Sequence, residues 1–261
     1  MVKAIFFDID GTLVSFDTHK VPKSTRESLQ KLKEKGIKLF LATGRSPILL
    51  DKIKKLVEFD FDGYVLINGQ YCVLNDEVVH KEKIAKKGLK KLISYLDEKN
   101  LACEFLDDKD IYINRVNERV LELREFLGST APDSKPITSE EILNKEIYQM
   151  CAYINNQEEE DFFKNAPGCK GARWNPLFMD IMPEDGGKAK GISKIIGKLG
   201  ISKNECMAFG DGGNDIDMLE YVGFGIAMGN ASDKVKNCAD HVTEDVDNDG
   251  IKLALEKFNI I

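Results

Sequence analysis

Two carboxylates stand two residues apart in Asp8-Ile9-Asp10-Gly11-Thr12, directly after an apolar run. Side chains at i and i+2 of an extended chain share a face, so both can aim at one point. Gly11 then lets the chain turn away. Two further apolar runs end in similar punctuation. Leu39-Phe40-Leu41-Ala42 leads into Thr43-Gly44-Arg45, and Cys206-Met207-Ala208-Phe209 leads into Gly210-Asp211-Gly212-Gly213-Asn214-Asp215. Each motif alone can be an ordinary turn between a strand and a helix. At the ends of parallel strands they would gather Asp8, Asp10, Asp211 and Asp215, a hydroxyl and Gly-rich backbone on one sheet edge, where open α/β sheets bind ligands. Four clustered carboxylates repel one another, so a cation is implied. All-oxygen ligation by one or two carboxylates, with positions left open, is the habit of Mg2+. Gly-rich loops offer N–H groups to an anion.

The elements that must hold these residues follow from hydrophobic periodicity and from helix and turn signals. Strands are predicted over 2–9, 37–42 and 63–67, helices over 24–36 and 47–57, and a hairpin from 71–74 and 78–81. The same rhythm returns near the end, with helices over 188–199, 215–221, 232–238 and 250–258 and strands over 205–209, 224–227 and 241–243. Alternating strands and helices predict an α/β fold, a parallel sheet covered on both faces. The middle reads differently. Helices over 84–100, 118–127 and 158–164 mix with strands over 101–106, 111–114 and 147–154, and with a pair over 171–174 and 178–182. That mixture predicts an α+β unit at 83–184, inserted into a core made of 1–82 and 185–261.

Composition sets the class. Hydrophobic residues are 43% and charged residues 31% of 261 positions, the balance of an ordinary globular chain. The formal charge of −7 argues against nucleic acid as a partner, since a phosphate backbone calls for a positive surface. No apolar run reaches the roughly 20 residues that cross a bilayer. The first apolar run is broken by a charge within a few residues, so it does not read as a signal peptide. The six cysteines form no C-x-x-C pair and read as buried thiols of a cytoplasmic protein.

Asp8-Ile9-Asp10-Gly11-Thr12, Ala42-Thr43-Gly44-Arg45, Lys188 and Gly210-Asp211-Gly212-Gly213-Asn214-Asp215 together resemble the haloacid dehalogenase superfamily of phosphotransferases. The insertion after the third strand, the Asn-Asp of the last motif, and the segments Ile226-Ala227-Met228-Gly229-Asn230-Ala231 and Asp249-Gly250-Ile251 are similar to its Cof-type branch, the subfamily IIB sugar-phosphate phosphatases. The resemblance covers both core segments well and the insertion in outline. It implies a Rossmann-like parallel sheet with an inserted α+β cap of the C2B type. It also implies Mg2+-dependent hydrolysis of small phosphorylated metabolites, sugar (hexose) phosphates above all, through an aspartyl-phosphate. Asp8 would be the nucleophile, and Asp10 the general acid and later the base. Asp8 and Asp211 would hold Mg2+ by side chains and Asp10 by its backbone carbonyl. Thr43, Lys188 and Asn214, with Ile9 and Gly44, would bind the phosphoryl oxygens, and Asp215 would orient Lys188 or a metal-bound water. A carboxylate that meets a phosphate dianion at ~4 Å, with an effective dielectric constant of ~20, is opposed by roughly 8 kcal/mol. Fixed positive charge from Mg2+ and one lysine removes that barrier.

Some assignments stay open at this level. The family's usual Lys-Gly favours Lys190, whereas the count to the Leu-Gly-Ile that closes the helix favours Lys188, which is taken. Arg45 either faces substrate between core and cap or solvates a helix start. Asn68-Gly69 either lines that cleft or turns a hairpin. Arg173, Trp174 and Asn175 are the specificity candidates of the cap, because an aromatic face beside polar groups suits a sugar; core packing suits Trp174 as well. Asp245-Val246-Asp247-Asn248-Asp249-Gly250 with Glu256 fits the EF-hand loop pattern. The segment entering it reads as a strand and Glu256 as helical, so calcium is not expected there. Two other functions use the same aspartyl-phosphate, a phosphomutase and a receiver-like signalling module. The cap and Lys188 argue against the receiver.

Overall fold

The computed structural model describes residues 1–128 and 131–261 and, at Trp174, the backbone alone. Its first strand, β1 (Ala4–Phe7), is wholly buried, as a strand covered on both faces must be. There follow α1 (Lys23–Glu34), β2 (Lys38–Ala42), α2 (Leu50–Val57), β3 (Gly63–Leu66), β4 (Tyr71–Leu74) and β5 (Glu77–Lys81). The insertion holds α3 (Lys86–Glu98), β6 (Cys103–Leu106), β7 (Ile111–Ile113), α4 (Glu118–Leu127), β8 (Lys135–Pro136), α5 (Ser139–Leu143), β9 (Gln149–Ala152), α6 (Glu159–Asn165), β10 (Cys169–Asn175) and β11 (Phe178–Pro183). The chain returns through α7 (Lys188–Leu199), β12 (Cys206–Gly210), α8 (Ile216–Tyr221), β13 (Phe224–Ala227), α9 (Asp233–Lys236), β14 (His241–Val242) and α10 (Gly250–Lys257).

Two compact units result. One is Met1–Arg45, Leu49–His80 and Gly187–Ile261; the other is Lys81–Gly186 with Ser46–Ile48. The second unit therefore runs beyond 83–184. Its far end is set by a turn after β11, in which the Gly186 amide donates to the Pro183 carbonyl at 2.7 Å.

In the first unit the described residues form an eight-stranded sheet in the order β14-β13-β12-β1-β2-β3-β4-β5. It is parallel from β14 to β3, and β4 runs against β3. β1 lies between β12 and β2, with Phe7 level with Phe209 on one side and Leu41 on the other. Two registered pairs stack, Phe6 on Phe40 with ring centroids 4.8 Å apart and Phe7 on Phe209 at 5.2 Å. A one-residue slip would break both stacks and exchange the faces of every side chain. The ends of β12, β1 and β2 are thus held level and adjacent.

The second unit is a six-stranded sheet, β10-β11-β9-β6-β7-β8, antiparallel except for the β7–β8 pair. Leu89, Leu92 and Leu96 of α3, Ile142 of α5 and Phe162 of α6 pack with Phe105, Met150 and Ile181 on one face. Val120 and Leu123 of α4 pack with Tyr153 and Phe178, which alternation along the strands puts on the other. β8 and α5 are absent from the sequence reading. α5 nevertheless has a readable start, a capping box in which the Thr138 hydroxyl accepts from the Glu141 amide and the Glu141 carboxylate accepts from the Thr138 amide.

Candidate active site

The three level strand ends deliver Asp8, Thr43 and Asp211 side by side. Asp8 follows β1, and its amide donates to the Phe209 carbonyl at 3.0 Å, which carries the strand pairing one residue past β1. Asp211 follows β12, and the Thr12 hydroxyl donates to its Oδ1 at 2.7 Å. Gly11 sits at φ +87°, and a Cβ there would lie 2.2 Å from Asp211 Oδ2. Both the left-handed turn and the close approach therefore require glycine.

Lys188 opens α7 and is completely buried. Its Nζ donates to Asp8 Oδ1 at 2.6 Å, Asp215 Oδ1 at 2.5 Å and the Ala42 carbonyl at 2.7 Å. All three of its N–H bonds are used, and one ammonium ties the ends of β1 and β2 to the start of α8. Asp215 Oδ2 accepts the backbone amides of Asp211 and Gly212 at 3.0 and 2.8 Å, fixing the Gly-rich loop around itself. Burial works against the lysine's charge, but Asp215 and Asp8 outweigh it and hold its pKa above the ordinary value.

Among the described residues, the carboxylates of Asp8, Asp211 and Asp215 offer oxygens within 4.8 Å of one another. Burial pushes the Asp8 carboxyl up to about 7 even with Lys188 pulling it down. Burial, with Asp8 and Asp215 close by, raises Asp211 well above the carboxylate range. Three clustered carboxylates, Asp8 and Asp215 buried and Asp211 half-buried, against one ammonium leave an excess of negative charge, and every donor is a hard oxygen. A hard divalent cation fits that donor set and that charge.

The Thr43 hydroxyl accepts from the Arg45 amide at 3.2 Å, and Asn214 Nδ2 donates to Asn68 Oδ1 at 3.0 Å. Gly44 lies against the same Asn68 amide, which a Cβ on Gly44 would approach to 3.2 Å. Ile9 is buried, and its carbonyl accepts from Leu13 and Val14 as the loop turns. Asp10 is held by Arg45 through two bonds, Nε to Oδ2 at 2.9 Å and Nη2 to Oδ1 at 2.6 Å. Arg45 therefore faces Asp10. Desolvation works against its charge, but Asp10 and then Asp8 carry its pKa above the ordinary value.

Arg173 and Asn175, in the second unit, are engaged by their own hairpin and, for Arg173, by α6. Arg173 Nε donates to Glu159 at 2.9 Å, and its Nη1 to the carbonyls of Pro176 and Phe178, each at 3.0 Å. Asn175 Oδ1 accepts from the Leu177 amide at 2.9 Å. The Trp174 side chain lies outside the described residues. Lys190 stands one half-turn beyond Lys188 on α7, and it is Lys188 that donates to Asp8 and Asp215. The EF-hand-like segment is entered by β14, not by a helix; Glu256 lies on α10 and pairs with Lys252 at 3.8 Å. All six cysteines are free thiols. No helix among the described residues is long and apolar enough to cross a membrane.

Two further residues join the site, Asn68, for which the sequence left cleft lining and a hairpin turn both open, and Asn230. Asn68, buried and left-handed at φ +48°, donates its amide to the Thr43 carbonyl and links the Thr43–Gly44 loop to Asn214. An Asn-Gly pair at a strand end was the available signal, and it reads first as a hairpin turn. Asn230 reaches the Gly11 carbonyl at 2.9 Å.

The family model of haloacid dehalogenase-like hydrolases matches residues 5–255. The chain is 35% identical over 260 residues to "Putative phosphatase YkrA" of Bacillus subtilis (strain 168), across 99% of this chain and 98% of that protein. Its structure is similar to that of the HAD subclass IIB sugar phosphatase BT4131, with a TM-score of 0.91 and 40% identity over the whole of both chains. It is also similar to BT1666 from Bacteroides thetaiotaomicron, a HAD-superfamily phosphatase, with a TM-score of 0.91 and 36% identity over 100% of this chain and 96% of that one.

Proposed function

The chain belongs to the haloacid dehalogenase-like hydrolases and is a phosphatase, and from that premise we propose that it hydrolyses small phosphorylated metabolites, sugar phosphates foremost, through an aspartyl-phosphate on Asp8. The observation that carries this reading is the buried Lys188 ammonium, bonded to Asp8 just past β1, to the Ala42 carbonyl at the end of the adjacent parallel strand β2, and to Asp215 at the start of α8. The sugar preference draws on the similarity to BT4131, which is described as a sugar phosphatase.

In the proposed reaction Lys188 holds Asp8 Oδ1, which leaves Oδ2 to attack phosphorus. The new Oδ2–P bond forms as the bond from phosphorus to the leaving oxygen breaks, and Asp10 supplies the proton that the leaving oxygen takes up. Water then attacks the acyl phosphate, giving its proton to Asp10 and freeing Asp8. Arg45 sets the direction of the Asp10 carboxylate. Both Asp10 oxygens are acceptors in that pair, the form suited to the second step, so donation in the first requires one of the two bonds to open. Thr43, Asn214 and the Ile9 and Gly44 amides bind the phosphoryl oxygens, and Asp215 orients Lys188. Asp8 and Asp211, with the Asp10 backbone carbonyl, would hold Mg2+, which when bound supplies positive charge opposite the phosphate.

The inserted unit, far longer than a connection requires, chooses the leaving group in this reading. Arg173 and Asn175, which bond within its β10–β11 turn, are with Trp174 the residues proposed to contribute to selection. A cytoplasmic location is part of the proposal, and the free thiols support it.

A phosphate-release screen over phosphorylated metabolites with Mg2+ tests the reading. Wild type should release phosphate from sugar phosphates, and Asp8→Asn should not. Conversion of substrate to a phosphorylated isomer without net release would make the enzyme a mutase. No turnover of any ester by pure wild type would refute the proposal.

A further inference from the structure

The acidic turn Asp245–Gly250 has the residue types of a calcium loop, yet its groups are directed at the segment that follows Asp10. Ser15 is fully buried, and its hydroxyl donates to Asp247 Oδ2 at 2.8 Å. The same hydroxyl accepts from the amides of Asp17 and Thr18, each at 3.1 Å. At the segment's other end, Asn230 Nδ2 donates to the Gly11 carbonyl at 2.9 Å, and Asn230 Oδ1 accepts from the Val246 amide at 3.2 Å. The anchor is itself firm. The amides of Asn248 and Gly250 both donate to the Asp245 carbonyl, at 3.0 and 3.2 Å, and the Gly229 amide to the Glu244 carbonyl at 3.1 Å. Gly229 packs so closely that a Cβ there would lie 2.3 Å from Asp245 Oδ1.

Between these anchors the backbone amides of the loop bond within it and to the Ile9 carbonyl: Gly11 N donates to the Val14 carbonyl at 2.8 Å, and the amides of Thr12, Leu13 and Val14 donate to the Ile9 carbonyl at 3.4, 3.0 and 2.7 Å. It carries Asp10 just before its first anchor, and within it Thr12, which bonds Asp211. A displacement there moves the Asp10 carboxylate and the Asp211 carboxylate together, and such misplacement is costly in rate because the reacting groups must be aligned. We propose that Asn230 and Asp247 are positioning residues, which clamp the segment Gly11–Ser15 from both ends and thereby aim Asp10. Asn230 is suited to the task because it donates and accepts on one short side chain. Asp247 acts as an acceptor for Ser15, so its oxygen matters and its charge does not.

The kinetic part of this proposal rests on the phosphatase reading, so the test has a second, independent measurement. Full-length Asp247→Ala, Asp247→Asn, Asn230→Ala and Ser15→Ala would be followed by amide hydrogen exchange over 11–18 and by kcat and KM for p-nitrophenyl phosphate with Mg2+. Asp247→Ala and Asn230→Ala should raise exchange in 11–18 and lower kcat, each by about tenfold or more, with KM changed by less than about twofold, the pattern of misaligned chemistry and not of lost binding. Asp247→Asn keeps an oxygen for Ser15 and should restore at least half of kcat. Ser15→Ala probes the same bond from the other side should Asp247→Ala fail to fold. Unchanged exchange in the alanine variants, or Asp247→Asn as defective as Asp247→Ala, would overturn the proposal. If wild type hydrolyses no ester, the exchange measurement still decides whether the clamp exists, and only the phosphatase reading fails.

Discussion

Lys188→Met removes one charge and keeps most of the volume, so its two effects can be calculated separately. The ammonium binds Asp8, Asp215 and the Ala42 carbonyl in a site with no solvent exposure. Its loss leaves two buried carboxylates without their counter-charge, which costs about 3–5 kcal/mol of stability. In the proposed reaction, the same charge opposes a phosphate oxygen. At ~4 Å and an effective dielectric constant of ~20, one such interaction is worth about 4 kcal/mol, or roughly a thousandfold in kcat/KM. Urea denaturation gives the first quantity, and steady-state hydrolysis of p-nitrophenyl phosphate, scaled to folded protein, gives the second. Lys190→Met should leave both near wild type. Lys188→Arg should not rescue, because a fully enclosed ammonium site has no room for a wider, planar group. A Lys188→Met enzyme that is less stable but turns over within about tenfold of wild type would show the lysine to be structural, and the electrostatic argument would fall.

The other expectations are more direct. Asp8→Asn should lower turnover roughly a thousandfold or more while the chain stays folded; activity near wild type in uncontaminated protein would remove Asp8 as nucleophile. Excess chelator should stop turnover and Mg2+ restore it, and Asp211→Ala should need far more Mg2+ for half-maximal rate; full activity in chelator is incompatible with a cation between these carboxylates. Arg173→Ala should loosen the β10–β11 turn and change kcat/KM ratios among sugar phosphates by roughly 1–3 kcal/mol, with little effect on acetyl phosphate. Equal slowing of every ester would limit the hairpin to holding its unit together. Glu104 in the second unit is buried, and burial raises its carboxyl above the ordinary value despite Arg124. A raised value in the folded state means that folding favours the protonated form. Stability from this group is therefore greatest below the unfolded carboxylate range and falls as pH rises toward the raised value. Glu104→Gln should flatten that slope in urea midpoints taken from acid to neutral pH, and an unchanged slope would count against it.

The strand ends were legible because apolar, β-branched and aromatic runs stop abruptly at Asp or Gly, and parallel pairing then puts those stops on one edge. Boundaries were less legible. Residues 2–9 read as one strand, and β1 is Ala4–Phe7, with Lys3 and Asp8 still bonded to neighbouring segments at its two ends. α5 went unread although Thr138 and Glu141 spell a capping box, since the helix that follows is five residues long and offers little periodicity.

Chemistry that depends on which side chain answers which was beyond a reading by residue type. Arg173 and Asn175 have the functional groups of a sugar site. The turn around Asn175-Pro176 leaves carbonyls and an amide that need partners, and those two side chains supply them. The reverse holds for the acidic turn near the end of the chain. Its oxygens match a calcium pattern by type and spacing, but spacing along the chain does not reveal that Ser15 and Gly11, more than two hundred residues earlier, present a donor and an acceptor to the neighbourhood of that turn. A motif specifies a ligand only when its own backbone brings the donor atoms together. Here the backbone entering the turn is a strand and not a helix, and the Asp247 carboxylate accepts from Ser15 in the loop that follows Asp10.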